Sequence, residues 1–150
     1  NIINQIFEIS KNYSCVITCP EDVSVGKNMN DKSQIKELNE ISEDDLILDI
    51  GPKTINKIKN IIENSNTVLW NGPAGYFENP YFANGSYEIA KTIIGKNKNK
   101  SIYSIAGGGD TIAVINQINA INDFDFVSTA GGAFLEYLEG KELPGIKALK

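Results

Sequence analysis

Residues 101–111 read Ser-Ile-Tyr-Ser-Ile-Ala-Gly-Gly-Gly-Asp-Thr, an apolar run followed directly by three glycines. The run predicts a strand over 101–106, and the pattern that follows predicts a helix over 110–120. Glycine lets the backbone approach an anion closely, and the first amides of a helix have no partner within the helix. The segment therefore predicts a phosphate-binding junction between a strand and a helix.

A second junction of this kind lies at residues 128–133, Ser-Thr-Ala-Gly-Gly-Ala, between a strand predicted over 125–128 and a helix predicted over 131–139. One glycine pair at such a turn is weak evidence, because tight-turn geometry alone also calls for glycine. Two junctions together present unpaired amides and the positive ends of two helix dipoles. We therefore expect a phosphorylated ligand, in particular a nucleotide.

The whole chain alternates short β-branched runs with amphipathic segments. The predicted strands are 14–18, 46–50, 67–71, 101–106 and 125–128, and the predicted helices are 1–12, 54–64, 86–94, 110–120 and 131–139. Thr54 and Ser86 are the expected N-terminal caps, and Gly95 and Gly140 the expected C-terminal stops. This alternation is typical of a three-layer α/β/α, Rossmann-like, mainly parallel sheet. Residues 23–43 are expected to form an exposed excursion with a short strand near 35–38.

The composition favours one globular domain, with 150 residues, 41% apolar and 22% charged. Because the sequence opens inside an amphipathic pattern, we expect a partial domain from a longer protein. The formal net charge of −5 argues against a nucleic-acid partner. Every basic residue is Lys, and the absence of His and Arg excludes a His-based triad, a His metal site and an in-chain arginine finger.

Two cysteines, Cys15 and Cys19, lack the spacing of a zinc site or of a redox Cys-x-x-Cys pair. We expect both to be plain thiols, buried or half-buried. No secretory signal or membrane-spanning run is present in the sequence, so no membrane partner is expected and the expected location is the cytoplasm.

In an open parallel sheet, ligands bind beyond the carboxyl ends of the strands. The loops expected to gather there are 19–22, 49–54, 71–78, 106–111 and 128–133, all rich in Gly, Pro, Asp, Asn or Ser. A carboxylate beside a polyphosphate needs a cation between them, so Asp110 is a candidate Mg²⁺ ligand. The alternative is that Asp110 only caps its helix.

The loop after residues 67–71 combines aromatic side chains with one carboxylate. Trp70, Tyr76 and Phe77 offer apolar contact to a nucleoside base, and Glu78 offers an acceptor to ribose hydroxyls. The alternative is that these aromatic residues belong to the core and that Glu78 is a solvated side chain. Lys53 is interpreted as an exposed residue rather than a phosphate contact.

Four segments resemble the phosphoglycerate kinase family, in that family's order and near its spacing: Leu69–Glu78, Ala106–Thr111, Ser128–Ala133 and Leu135–Ile146. Residues 49–54 match a further motif, and the resemblance covers essentially the whole chain, least clearly at 23–43. It implies a two-domain, monomeric glycolytic kinase that transfers a phosphoryl group between 1,3-bisphosphoglycerate and ADP, giving 3-phosphoglycerate and Mg-ATP. Residues 1–150 would be part of its C-terminal nucleotide-binding domain, and the N-terminal phosphoglycerate-binding domain would be absent.

The resemblance also implies roles for individual residues. Asn71 and Pro73 would line the nucleotide site, Glu78 would hold the ribose hydroxyls, and Asp110 would bind the Mg²⁺ that accompanies ADP or ATP. Gly107 would also belong to the nucleotide site, Gly108, Gly109 and Thr111 would bracket the terminal phosphates, and the turn with Ser128, Thr129 and Gly131 would face the transferred phosphoryl group.

Ala130 and Ala74 depart from the family pattern, standing where it usually has Gly and often has Met, respectively. A methyl at position 130 narrows the backbone conformations of that turn. Because the phosphoglycerate-binding part lies outside these residues, the isolated chain is expected to be inactive. A nucleotide-binding α/β domain without this kinase activity is the alternative function, and an interaction fragment without a ligand is a third.

Overall fold

A computed structural model describes residues 1–149 of the chain. Six α-helices occur in this part, α1 (Ile2–Asn12), α2 (Pro52–Glu63), α3 (Asn84–Lys98), α4 (Gly109–Gln117), α5 (Gly132–Leu138) and α6 (Pro144–Lys147). The strands are β1 (Asp22–Gly26), β2 (Gln34–Glu37), β3 (Leu46–Ile50), β4 (Thr67–Asn71), β5 (Tyr103–Gly107) and β6 (Phe126–Ser128). Single-turn 3₁₀ helices lie at Leu38–Glu40, Pro80–Phe82 and Ile121–Asp123.

The parallel sheet has the order β4-β5-β6. Trp70 of β4 pairs with Ala106 of β5, which pairs with Val127 of β6. Both crossovers run through a helix, α3 between β4 and β5 and α4 between β5 and β6. This sheet confirms the expected α/β class, and β4 has the predicted bounds.

A separate antiparallel sheet has the order β2-β1-β3, with Val23 of β1 opposite Lys36 of β2 and Ile50 of β3. The prediction that 46–50 joins the parallel sheet is therefore wrong. The segment 23–43, expected to be an exposed excursion, contains most of two strands, and all five residues of β1 are buried. Only two of the five β1 residues, Val23 and Val25, are apolar, so its composition gave little sign of a central strand.

Helices α2, α3 and α4 pack around one face of the parallel sheet. The core there contains Trp70 and Ala106 from the strands, Ile93 from α3, and Val114 and Ile115 from α4. On the opposite face, Phe134 of α5 lies against Gly107, while Leu69 and Tyr103 are 41% and 51% exposed. Helix α5 therefore lies in the layer beyond that face, which leaves Leu69 and Tyr103 partly uncovered.

Residues 14–18 form no strand, contrary to the prediction. A β-strand needs a neighbour for its backbone hydrogen bonds, and no strand within residues 1–149 pairs with this segment. Cys15 and Cys19 are consequently exposed, so their expected burial is wrong. Within the same residues, no group of three metal-ligating side chains forms, and none of the helices is both long enough and apolar enough to cross a bilayer.

The expected helix caps fail at three of four positions. Thr54 and Ser86 lie inside the first turns of α2 and α3, where both are buried and bond to other segments. Gly95 does not end α3, which continues to Lys98. Gly140 does follow the end of α5 and has a φ of 79°, which glycine adopts at low cost.

Asp22 of β1 caps α2 from outside the helix. Its carboxylate is 1% exposed and accepts hydrogen bonds from the Lys53 amide at 2.9 Å, the Thr54 amide at 2.8 Å and the Thr54 hydroxyl at 2.8 Å. Burial raises the pKa of Asp22, but these hydrogen bonds and the Lys53 charge outweigh it and lower the pKa overall. The contact joins the antiparallel sheet to α2, whose N-cap residue, Gly51, has no side chain to cap it.

Replacing Asp22 by alanine is expected to destabilise the natural full-length protein by about 2–3 kcal/mol, because the buried Thr54 amide and the partly buried Lys53 amide lose their acceptor. Since the pKa is lowered on folding, the stabilisation is present above the ordinary carboxyl pKa and is lost as the pH falls through the lower, folded value. Urea unfolding at pH 7 and at pH 3 measures both effects. A destabilisation of equal size at pH 7 in Asp44→Ala, whose side chain is exposed, would contradict this role.

Candidate functional site

Three glycine-containing loops leave the carboxyl ends of the parallel strands side by side. Asn71 at the end of β4 pairs with Gly107 of β5, which pairs with Ser128 of β6. Each loop then contains one glycine with a positive φ, namely Gly72 at 97°, Gly108 at 89° and Gly131 at 57°. The shared register places residues 71–78, 107–111 and 128–133 at one edge of the sheet, as their sequences predicted.

The loop after β5 leads directly into α4. Gly108 is the N-cap residue and provides no capping side chain, so the first amides of the helix are not covered by a cap. Asp110 lies in the first turn and is exposed. The hydrogen bond that defines an N-cap is absent at this helix start, which favours the ligand interpretation of Asp110 over the capping alternative.

Thr111 links two of the loops. Its side chain is fully buried, and its hydroxyl oxygen accepts a 2.7 Å hydrogen bond from the Gly72 amide. The hydroxyl therefore holds the β4 loop against the start of α4. This bond uses a lone pair of the hydroxyl oxygen, so the hydroxyl proton and the backbone amide of Thr111 remain as donors in the first turn of the helix.

Close packing explains why Gly107 and Gly108 lack side chains. A Cβ atom at Gly107 would lie 2.8 Å from the Phe134 ring, and one at Gly108 would lie 2.9 Å from Asn71 Oδ1. Phe134 was not predicted as part of this region. The only related prediction was the helix over 131–139, which places Phe134 near the helix start, as α5 does. It couples α5 to the glycine-rich loop.

The 72–78 turn is fixed along its length by hydrogen bonds to its surroundings. The Trp70 indole N–H donates to the Gly72 carbonyl at 2.8 Å, and the Ala74 amide donates to the buried Ser86 hydroxyl at 2.9 Å. The Tyr76 amide donates to the Leu48 carbonyl at 2.7 Å. Pro73 on this turn is half-buried and Glu78 at its end is exposed.

The aromatic side chains of this segment divide between the core and the surface. Trp70 and Phe77 are buried in the core, and the Trp70 ring stacks on Phe124 with 6.2 Å between centroids. Of the two interpretations left open for these aromatic residues, the core interpretation therefore holds for Trp70 and Phe77, whose rings are covered by protein. Tyr76 is half-buried. Hydrophobicity alone did not distinguish a core aromatic from one that lines a site.

The turn after β6 has a different geometry. Ser128 is buried, and its hydroxyl accepts the Ala130 amide at 3.4 Å, while Thr129 and Gly131 are exposed. The positive φ in this turn belongs to Gly131, so Ala130 does not require a conformation that its methyl would disfavour. The departure at position 130 is compatible with the turn.

The two remaining loops of the expected set form a contact of their own. Because 14–18 is not a strand and β3 is antiparallel, 19–22 and 49–54 do not leave the parallel sheet, although Asp49 at the start of the second segment lies against Gly75 of the 72–78 turn. The Gly51 amide donates to the Asp22 carbonyl at 2.9 Å, and exposed Lys53 pairs with Glu37 at 2.5 Å. The expectation of five gathered loops is wrong for these two segments, and the expected exposure of Lys53 is confirmed.

The site offers one carboxylate to a cation near the helix start, that of Asp110. Mg²⁺ in phosphate sites is commonly held by one or two carboxylates together with phosphate oxygens and waters. Because no cluster of three acidic, Cys or His residues exists within residues 1–149, a protein cage for a free metal ion is not formed there. The residues present fit a cation that arrives with a polyphosphate.

These features define a Rossmann-like α/β protein with glycine-rich loops at the carboxyl ends of its parallel strands. A family model for phosphoglycerate kinase matches residues 1–141. The chain belongs to the phosphoglycerate kinase family.

Several relatives show the extent of the similarity. The phosphoglycerate kinase of Sphingopyxis alaskensis is 43% identical over 149 residues, which cover 98% of this chain and 37% of that protein. The phosphoglycerate kinase of Buchnera aphidicola subsp. Acyrthosiphon pisum is 46% identical over 150 residues, covering 97% of this chain and 37% of that protein. The chain thus spans a little over a third of the length of these curated relatives.

Solved structures show the same fold. The phosphoglycerate kinase of Coxiella burnetii matches with a TM-score of 0.88 at 36% identity, covering 98% of this chain and 38% of that one. The enzyme of Pyrococcus horikoshii OT3 matches with a TM-score of 0.77 at 31% identity, covering 98% and 36%. The Rossmann-like assignment is therefore confirmed for this chain.

Proposed function

We propose that the natural full-length protein is a phosphoglycerate kinase and that this chain contributes to its nucleotide and Mg²⁺ site. In this reaction the acyl phosphate bond of 1,3-bisphosphoglycerate breaks and a bond forms from that phosphorus to a terminal oxygen of ADP. The products are 3-phosphoglycerate and ATP. The observation that carries the proposal is the junction of the loops that follow β4 and β5. This junction is held by the hydrogen bond that the Gly72 amide donates to the Thr111 hydroxyl.

In-line phosphoryl transfer requires positioning and charge neutralisation more than a protein base. A chain without His or Arg can position the phosphates through backbone amides, and its Asp110 carboxylate can hold the cation that neutralises their charge. Mg²⁺ bound with the nucleotide would neutralise phosphate charge. In this proposal the Asp110 carboxylate holds that cation, and Gly107, Gly108, Gly109 and the Thr111 amide direct the terminal phosphates.

The 71–78 segment is proposed to bind the nucleoside. Asn71 and Pro73 line the site, and the exposed Glu78 carboxylate accepts hydrogen bonds from the ribose hydroxyls. Exposed Thr129 and Gly131 and the hydroxyl of Ser128 lie in the neighbouring loop. We propose that this loop faces the transferred phosphoryl group.

The phosphoglycerate substrate is proposed to bind a separate, N-terminal domain that this chain does not contain. The protein is proposed to be a monomer in cytoplasmic glycolysis, as the family resemblance implies. The isolated chain is expected to turn over no substrate, because it would lack the domain that binds phosphoglycerate, the other reactant in the phosphoryl transfer.

A coupled assay on the natural full-length protein tests the proposal. ATP consumption that depends on 3-phosphoglycerate and Mg²⁺ is expected, and calorimetry should show binding of Mg-ADP. Nucleotide binding without coupling to 3-phosphoglycerate would favour a different nucleotide-binding domain. Absence of Mg-ADP binding would overturn the nucleotide site itself, and activity of the isolated chain would contradict the need for a second domain.

A further inference from the structure

Asp49 is a buried carboxylate on β3 for which the proposed chemistry gives no role. It is 3% exposed, and its Oδ2 accepts the Gly85 amide of α3 at 2.8 Å while its Oδ1 accepts the Ile50 amide at 2.8 Å. Burial raises the pKa of Asp49, and the two hydrogen bonds oppose that rise. Burying a carboxyl group costs free energy unless its oxygens accept hydrogen bonds, and both oxygens of Asp49 do so.

Two glycines make room for this carboxylate. A Cβ atom at Gly75 would lie 2.5 Å from Asp49 Oδ1, and one at Gly85 would lie 2.3 Å from the same oxygen. Neither glycine has a positive φ, so the reason for glycine at both positions is the close approach and not the backbone conformation. The carboxylate therefore lies between the 72–78 turn and the start of α3.

The start of α3 depends on Asp49 for its cap. Its N-cap residue is Ala83, which has no side chain able to accept a hydrogen bond, and Asp49 accepts the early amide of Gly85 instead. The next residue, Ser86, accepts the Ala74 amide of the turn. Beside Asp49, the Leu48 carbonyl accepts the Tyr76 amide. Two adjacent residues of β3 thus hold the turn, one directly and one through α3.

We propose that Asp49 is a positioning residue for nucleotide binding, which fixes the 72–78 turn and through it Pro73 and Glu78. This inference rests on the proposed function, because it requires the turn to bind a nucleotide. Asp49 itself does not touch the ligand. A shift of a positioned group by about 1 Å is enough to reduce binding and rate strongly.

The test compares Asp49→Ala, Asp49→Asn and Gly75→Ala in the natural full-length protein. The Asn variant keeps one oxygen for the Gly85 amide but presents an NH₂ group to the Ile50 amide. The Ala at position 75 retains the carboxylate but forces the turn away from β3. Gly95→Ala is the matched control, because that glycine lies within α3 with open space around its Cβ position.

We expect the dissociation constant of Mg-ADP to rise about tenfold in Asp49→Ala and Gly75→Ala, and less in Asp49→Asn. The KM for 3-phosphoglycerate should stay within about twofold, because its site lies outside this chain in the proposal. Hydrogen exchange at the Ala74 and Tyr76 amides should accelerate in the same variants. The Gly95→Ala control should match the wild type in all three measurements.

The outcomes distinguish a failure of the positioning role from a failure of the proposed function on which it rests. If the wild-type protein binds no Mg-ADP, both the proposed function and the positioning role of Asp49 are overturned. If the wild type binds Mg-ADP and folded Asp49→Asn and Gly75→Ala bind it equally tightly, the positioning role alone is overturned. Parallel loss of both substrates in proportion to the unfolded fraction would make Asp49 a residue of structural importance only. If Asp49→Ala does not fold, the other two variants decide the question.

Discussion

Replacing Asp110 by asparagine is expected to lower kcat of the natural full-length protein by about 100-fold, with little change in stability. Asn keeps the size and one oxygen of the side chain but removes the charge that attracts a divalent cation. Loss of one well-placed electrostatic contact to a phosphoryl transition state has an effect of this order. Thermal unfolding should barely change, because Asp110 is exposed and its helix start has no side-chain cap to lose.

The Asp110 experiment has a matched control in Asp44→Asn, a charge-neutralising change at another exposed aspartate. It should leave kcat unchanged. A titration with Mg²⁺ adds a second measurement, since weaker cation binding should raise the Mg²⁺ concentration needed for half-maximal rate. Activity of Asp110→Asn close to that of the wild type, at low as well as high Mg²⁺, would refute the role in metal binding.

Replacing Gly108 by alanine is expected to lower kcat/KM for Mg-ADP by one to two orders of magnitude. The φ of 89° at this position strains any residue with a Cβ atom, at about 1–3 kcal/mol. The added methyl would also lie 2.9 Å from Asn71 Oδ1, so the ends of β4 and β5 would have to separate. The free variant relieves this strain by moving the loop away from its wild-type conformation, and nucleotide binding must restore it; since about 1.4 kcal/mol corresponds to tenfold, a cost of this size gives the expected loss.

Gly145→Ala is the control for this substitution. Gly145 lies in α6 with an ordinary φ and nothing within 4 Å of its Cβ position. It should retain wild-type activity and stability. Steady-state kinetics and denaturant unfolding distinguish the two glycines, and equal activity of Gly108→Ala and Gly145→Ala would show that the loop conformation is not required.

Local patterning predicted the parallel part of the fold well. The β4 strand and the α4 and α5 helices lie close to their predicted positions because each strand is apolar and each helix begins beside glycine. The antiparallel sheet was harder to predict, because β1 contains three non-apolar residues and is buried through contacts with β2 and β3. Pairing between distant segments does not follow from local periodicity.

The meeting of the three glycine-containing loops at one sheet edge was predicted from the sequence, but the residues that support those loops were not, and the role of Asp110 stays a prediction. Ser86 and Phe134 come from α3 and α5, and nothing in their local sequence shows that they approach the loops, whereas Asp49 of β3 lies at the start of the 49–54 segment that was expected there. Thr54 and Ser86 were predicted to cap their helices for the same reason, whereas in the structure their hydroxyls bond to other segments. A serine or threonine near a helix start caps that helix or bonds to another segment, and only tertiary structure distinguishes the two.

The indole of Trp70 gives this chain an intrinsic optical reporter. It is the single tryptophan of the sequence, it is 7% exposed, and its N–H is bonded to the Gly72 carbonyl. Its emission should be blue-shifted in the folded state, and rearrangement of the adjacent turn should change its quantum yield. Stopped-flow fluorescence can therefore follow events at this edge of the sheet in real time without an attached dye.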